Sequence, residues 1–230
     1  MLNLNKILAY LFINFVRIFN LVELYQPTYN PRNFYLCKKN IGRRVCDERI
    51  FLITKEVDFS RFNSYLDIGS QLGYFVFKFA EVNPHLYAQG MEMNSVASMY
   101  AKSVAVLNEL ENVSFINVKM TLDTIRDLPK YDVISFLNVY HHIVYFESYQ
   151  YAHKIMQALY NKCKYCLIFE TGQSDEKGYY WSEKLNFMGE TPTEWIFDYL
   201  KLIGYRNVKI IGMTSTHLSS HKRRLFLCQK

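Results

Sequence analysis

The sequence predicts an α/β fold: a doubly wound, mostly parallel seven-stranded sheet with a terminal antiparallel strand, preceded by N-terminal helices. Three observations carry that expectation. From Ser64 onward, short apolar strand-like segments alternate with helical ones, the pattern of a parallel sheet covered on both faces. The last two strand-like segments, 207–211 and 224–228, have no helix between them, so they are expected to pair antiparallel at one edge. The chain has 230 residues, 50% of them hydrophobic and 21% charged. That composition suits a globular domain and excludes a disordered chain.

Taken in order, residues 2–25 are strongly apolar. Leu4, Leu8, Leu11, Phe12, Phe15, Phe19 and Val22 recur at helical spacing. Lys6, Asn14, Arg17 and Asn20 interrupt the run before it reaches the about 20 residues that a membrane span needs. No small-residue cleavage site follows, which argues against a secretory signal. This helix is expected to pack on the domain or cover a site. A dimer contact is one alternative, and a membrane-surface helix with Lys6 and Arg17 near headgroups is the other. Residues 26–40 carry Pro27, Pro31 and several Asn and read as an irregular link, followed by a short helix over 45–54. Residues 1–55 are therefore read as an N-terminal helical extension and link, and 56–230 as the main domain.

Within the main domain, strands are expected at 64–68, 86–92, 113–118, 131–137, 165–169, 207–211 and 224–228. Helices are expected at 73–82, 95–110, 122–127, 146–160 and 193–203. The last of these opens on Thr-Pro-Thr-Glu and closes at Gly204. Five cysteines, Cys37, Cys46, Cys163, Cys166 and Cys228, are few, scattered and odd in number. They suit a reducing, cytoplasmic setting and no disulfide framework. The single C-x-x-C at Cys163 and Cys166 lacks the second pair of a zinc ribbon, and no metal is expected. A net charge of +6 permits an anionic partner without demanding nucleic acid.

In open parallel sheets, ligands bind beyond the carboxyl ends of the strands, and three such ends carry chemistry. Leu66-Asp67-Ile68-Gly69-Ser70-Gln71-Leu72-Gly73 leaves the first strand and opens a helix. Its glycines let the backbone turn tightly, but Gly69-x-x-x-Gly73 is not the G-x-G-x-x-G of a dinucleotide site. Gly90-Met91-Glu92-Met93-Asn94 ends the second strand, where a carboxylate can accept hydrogen bonds from both hydroxyls of a ribose. Tyr131–Leu137 is an apolar strand that leaves through Asn138, Val139, Tyr140 and the paired histidines His141 and His142.

In these three motifs the sequence from about Ser64 to Lys230 resembles the class I S-adenosylmethionine-dependent methyltransferases, with their Rossmann-like fold. It departs from the commonest D-x-G-x-G-x-G form because Gln71 stands at the middle glycine. The resemblance implies S-adenosyl-L-methionine as cofactor. It implies that Asp67, Gly69, Ser70 and Gly73 line the methionine part and that Glu92 holds the ribose. Met93 and Met120 would flank the adenine, and Asn138 would meet the methionine moiety. Arg43 or Arg44 would pair with the cofactor carboxylate or an anionic substrate, a solvated basic face being the alternative.

A hydroxyl acceptor needs a proton acceptor, and His142 or His141 supplies one near neutral pH, with His142 preferred. Glu170 is a candidate substrate ligand, or else a carboxylate that braces its loop. The rings in Gly178-Tyr179-Tyr180-Trp181 could stack on a sugar or a base. His217, His221, Lys222, Arg223 and Arg224 read as a solvated edge that blunts sheet pairing, with anion contact as the alternative. The expected activity is O-methylation of a sugar, glycan or related small molecule. The alternatives are an RNA methyltransferase and a non-catalytic partner subunit of the same fold.

Overall fold

The computed structural model describes residues 3–23, 26–31, 46–216 and 221–230. Seven strands form one sheet in the order β3-β2-β1-β4-β5-β7-β6. They are β1 (Ser64–Ile68), β2 (Tyr87–Glu92), β3 (Val113–Asn117), β4 (Tyr131–Leu137), β5 (Cys163–Glu170), β6 (Asn207–Ser215) and β7 (Lys222–Gln229). β7 runs antiparallel to both β5 and β6. The helices are α1 (Leu4–Ile18), α2 (Cys46–Glu56), α3 (Tyr74–Val82), α4 (Ser95–Asn108), α5 (Leu122–Asp127), α6 (Tyr140–Phe146), α7 (Tyr149–Lys162) and α8 (Pro192–Ile203). The α/β fold with a terminal antiparallel strand is thus the one the strand–helix alternation predicts.

The described residues group into two compact units. One comprises those up to Ile50 together with Asp58–Lys119. The other comprises Phe51–Val57 and those of Met120–Lys230. In the first unit, β1 pairs with β2 from Ser64↔Tyr87 to Ile68↔Met91, and β2 pairs with β3. Helix α3 buries six of its nine residues, and Phe79 stacks on Phe59 at 4.1 Å with Tyr65 edge-on to both. Helix α4 starts where the Asn94 side chain accepts from the Ala97 amide, and it ends at Glu109 in the left-handed region.

Helix α1 packs on α4 through Ala9, Ile13 and Val16. Lys6 ion-pairs with Glu109, and Arg17 lies 3.4 Å from the Tyr100 and Thr28 hydroxyls. The apolar stripe picked out by the sequence is not the buried face. Leu4, Leu8, Leu11, Phe15 and Phe19 are exposed. No described helix is long and apolar enough to cross a membrane.

In the second unit every residue of β4 is buried, as in a strand covered on both faces. β4 pairs parallel with β5. Three differences from the expected elements have clear causes. Helix α6 follows β4 directly, and α7 begins only at Tyr149, because the Ser148 side chain accepts from the Tyr151 amide and starts a new helix. β5 begins at Cys163, immediately after α7. β6 and β7 are longer than expected, pairing from Asn207↔Gln229 to Ser215↔Lys222 with an irregularity between Ile210 and Gly212. Their polar ends, Thr214 and Arg223, are buried and so carry no apolar signal. Cys46, Cys163, Cys166 and Cys228 are buried; burial pushes the Cys163 thiol up to about 12. Cys37 lies outside the described residues.

Candidate functional site

In the first unit the turn after β1 is built by three residues in the left-handed region: Gly69 at φ 76°, Gln71 at φ 47° and Gly73 at φ 78°. Gly73 admits no side chain, since a Cβ there would lie 2.5 Å from the Phe115 ring. Four amides of the turn are spent within the protein. Those of Gly69 and Ser70 donate to the Met91 carbonyl at 2.8 and 3.1 Å, and that of Gly73 to the Ser70 carbonyl at 2.8 Å. The Gln71 amide donates to Glu92 Oε2 at 2.9 Å.

Glu92, buried at the end of β2, also accepts from the Asn94 amide through Oε1 at 2.7 Å. A carboxylate offers about four acceptor positions, so two remain for hydroxyl donors. Asp67 is buried, and the Ser70 hydroxyl sits buried where a Cβ on Gly90 would come within 2.6 Å of it. Met93 projects into solvent. The Gln71 side chain, at the position where the commonest motif has glycine, accepts from the Gln26 amide at 3.0 Å and donates to the Glu23 carbonyl at 2.7 Å. It straps residues 23 and 26 to the turn.

In the second unit Asn138 ends β4 in the left-handed region, at φ 62°. Its amide donates to the Glu170 carbonyl and its Nδ2 to Glu170 Oε1, both at 2.7 Å. Its Oδ1 accepts from Arg223 at 2.5 Å. Both ends of the side chain and the backbone amide are therefore engaged, which leaves the backbone carbonyl and one Nδ2 hydrogen for a ligand. Glu170 is fully buried and also accepts from the Thr214 hydroxyl at 2.6 Å. Each of its oxygens accepts a hydrogen bond from within the protein, and through Oε1 it braces Asn138.

Arg223 corrects another expectation. It is buried, not part of a solvated edge, and it makes a bidentate pair with Glu176 at 2.7 and 2.6 Å. Glu176 also accepts from the Gln173 amide at 3.0 Å. The network Glu170–Asn138–Arg223–Glu176 had no signal in the sequence, because its members come from four separate segments.

The two histidines open α6, with ring centroids 4.2 Å apart, in different chemical states. His141 is buried, and its Nδ1 accepts from the Gly172 amide at 3.0 Å. An amide can only donate, so the neutral ring carries its proton on Nε2. His141 is therefore a donor held in place, not a free base. Gly172 makes the approach possible, since a Cβ there would lie 3.0 Å from the His141 ring and 2.8 Å from Trp181 Nε1.

His142 is half-buried, with Nδ1 2.9 Å from the Tyr180 hydroxyl. Burial, and secondarily the Arg223 charge, hold its pKa below the usual 6.5, so the ring is neutral at neutral pH. Around it stand Trp181 at 5.6 Å and Tyr180 at 6.1 Å. Tyr145 meets Tyr180 edge-on at 4.6 Å, and Tyr180 and Phe146 are largely exposed. Met120 is half-buried just before α5. Arg43, Arg44 and His217 lie outside the described residues.

Solved structures share this architecture. The bifunctional kinase-methyltransferase WbdD superposes with a TM-score of 0.76 at 23% identity, over 94% of this chain and 45% of that one. The chain thus spans under half the length of the WbdD chain it matches. Magnesium protoporphyrin IX methyltransferase (ChlM) from Synechocystis PCC 6803, with bound SAH, superposes at 0.62 and 15% identity over 98% of this chain and 99% of that one. The chain has the class I methyltransferase fold. PigF with SAH has a TM-score of 0.54 at 20% identity, over 78% of this chain and 54% of that chain. No protein-family model matches the sequence, and no curated protein does.

Proposed function

We propose that this chain is an S-adenosylmethionine-dependent methyltransferase that transfers the methyl to a hydroxyl of a sugar, glycan or related small molecule. The observation that carries the cofactor reading is the economy of the turn after β1. Its Gly69, Ser70, Gln71 and Gly73 amides are consumed internally, so they do not form the donor cradle that a pyrophosphate requires. What the turn presents is the Glu92 carboxylate with acceptor capacity to spare. That acceptor fits the donating hydroxyls of a ribose on a cofactor without phosphates and carrying a positive charge. The bound SAM or SAH in ChlM and PigF supports the same choice.

When bound, the cofactor supplies a methyl already activated by sulfonium. The protein's task is to align a nucleophile and exclude water. His142 takes the proton of the acceptor hydroxyl: with hydrogen on Nδ1, donated to the Tyr180 oxygen, the Nε2 lone pair is open. His141 is fixed as a donor by Gly172. The exposed rings of Tyr180 and Phe146 suit the apolar face of a sugar or similar ring. Asp67, Gly69, Ser70 and Gly73 are proposed to line the methionine part, Met93 to flank the adenine, and the backbone of Asn138 to meet the ligand.

The test is incubation with isotope-labelled cofactor and a metabolite and glycan extract, read by mass spectrometry. A labelled O-methylated small molecule or glycan is expected. Label appearing only in RNA would overturn the acceptor class, and none without a second protein would support a partner subunit instead. In calorimetry, Glu92→Ala is expected to weaken cofactor binding by about 2 kcal/mol, through lost charge-assisted hydrogen bonds. Unchanged affinity would remove Glu92 from the ribose.

A further inference from the structure

Helix α1 has two opposite apolar faces, and only one is covered. At 3.6 residues per turn, Ala9, Ile13 and Val16 share the face buried against α4. Leu4, Leu8, Leu11, Phe15 and Ile18 fall on the other side, within an arc of about 80°. These five are between 51% and 72% exposed. Their spacing alternates four and three residues, the a/d repeat of a helix that packs along a second helix. A helix apolar on both sides is one that is buried on both sides.

We infer that this seam is a self-association surface: α1 pairs with α1 of a second copy of the chain about a two-fold axis. Three observations favour that occupant over a lipid surface. The seam follows the 3.5-residue period and no basic face lies opposite it, whereas an interfacial helix opposes an apolar face to a basic one. Both basic residues of α1 are turned into their own unit, Lys6 onto Glu109 and Arg17 toward Tyr100 and Thr28. The seam itself carries no charge, so a second copy meets it without repulsion.

The area fits as well. With Ile7 and Phe19, which flank the seam and are 42% and 60% exposed, the face presents on the order of 800 Å², the share one partner gives to a stable interface. A patch of that size exceeds what monomers commonly leave open. Two-fold pairing is the commonest way for a chain to cover its own surface.

Sedimentation equilibrium of the full chain tests this. Wild type is expected at twice the chain mass, and Leu11→Glu and Phe15→Glu at the single mass. Both side chains are exposed in the single chain, so an unchanged far-ultraviolet spectrum confirms that each variant folds. Leu11 sits at the middle of α1, so Leu11→Cys is expected to form a disulfide-linked dimer on mild oxidation in either helix orientation. Leu202→Cys, on the exposed side of α8, is expected not to. A wild type that stays at single mass, or a Leu11→Glu chain that keeps the doubled mass, overturns the proposal. So does a single-mass wild type that co-sediments with phosphatidylcholine–phosphatidylserine vesicles, which gives the face to lipid.

Discussion

Arg223→Ala is expected to destabilise the protein by about 3–5 kcal/mol, the usual cost of leaving one half of a buried ion pair alone. Arg223 and Glu176 are both nearly inaccessible, and their two hydrogen bonds are bidentate. Removing the guanidinium strands the Glu176 carboxylate without water and frees Asn138 Oδ1, which is held in a left-handed turn. Equilibrium denaturation checks the figure. Arg223→Met combined with Glu176→Leu should recover most of the loss, because the pair's own net contribution is small once both charges are gone. An Arg223→Ala cost below about 1 kcal/mol would show that the pair is solvated. Asn138 leads directly into the histidines, so the single variant should also lower turnover beyond its effect on folding.

His142→Ala is expected to lower turnover by about 10²-fold or more, as loss of a general base does. His141→Gln should be milder: a side-chain amide oxygen can still accept from the Gly172 amide. The pH profile separates the two roles. Because burial and Arg223 hold the His142 pKa below 6.5, the base is available at neutral pH. The rate should fall only as acid protonates it, along a limb whose midpoint lies under the ordinary histidine value. That limb should vanish in His142→Ala. A His142→Ala enzyme with wild-type rate, beside an inactive His141→Ala, would move the base one residue.

Much of this was legible in the chain itself, for reasons that differ by element. β4 shows as an apolar run because both of its faces are covered, and α8 shows through its Pro192 start and Gly204 stop. Gly69 and Gly73 could be picked out because the turn needs positive φ. Glu92 was legible as a charge at the carboxyl end of β2, where ligands of an open sheet bind. The roles of Arg223 and Glu170 were not, since a charged residue reads as solvent-facing until its partner is known. Their partners are 47 and 44 positions away for Arg223–Glu176 and Glu170–Thr214. The sequence favoured His142 over its neighbour without a contact to distinguish them, and a single backbone amide from Gly172 supplies that contact.

Local chemistry, read from the sequence alone, determined which segments are strands and helices and where the turn after β1 must lie. Periodicity and backbone conformation are properties of neighbours along the chain. Which polar groups are spent and which stay available was decided only by the tertiary structure, as was the outward turn of the α1 seam. Hydrogen-bond satisfaction and burial depend on residues that meet in space, and no spacing in the sequence records those meetings.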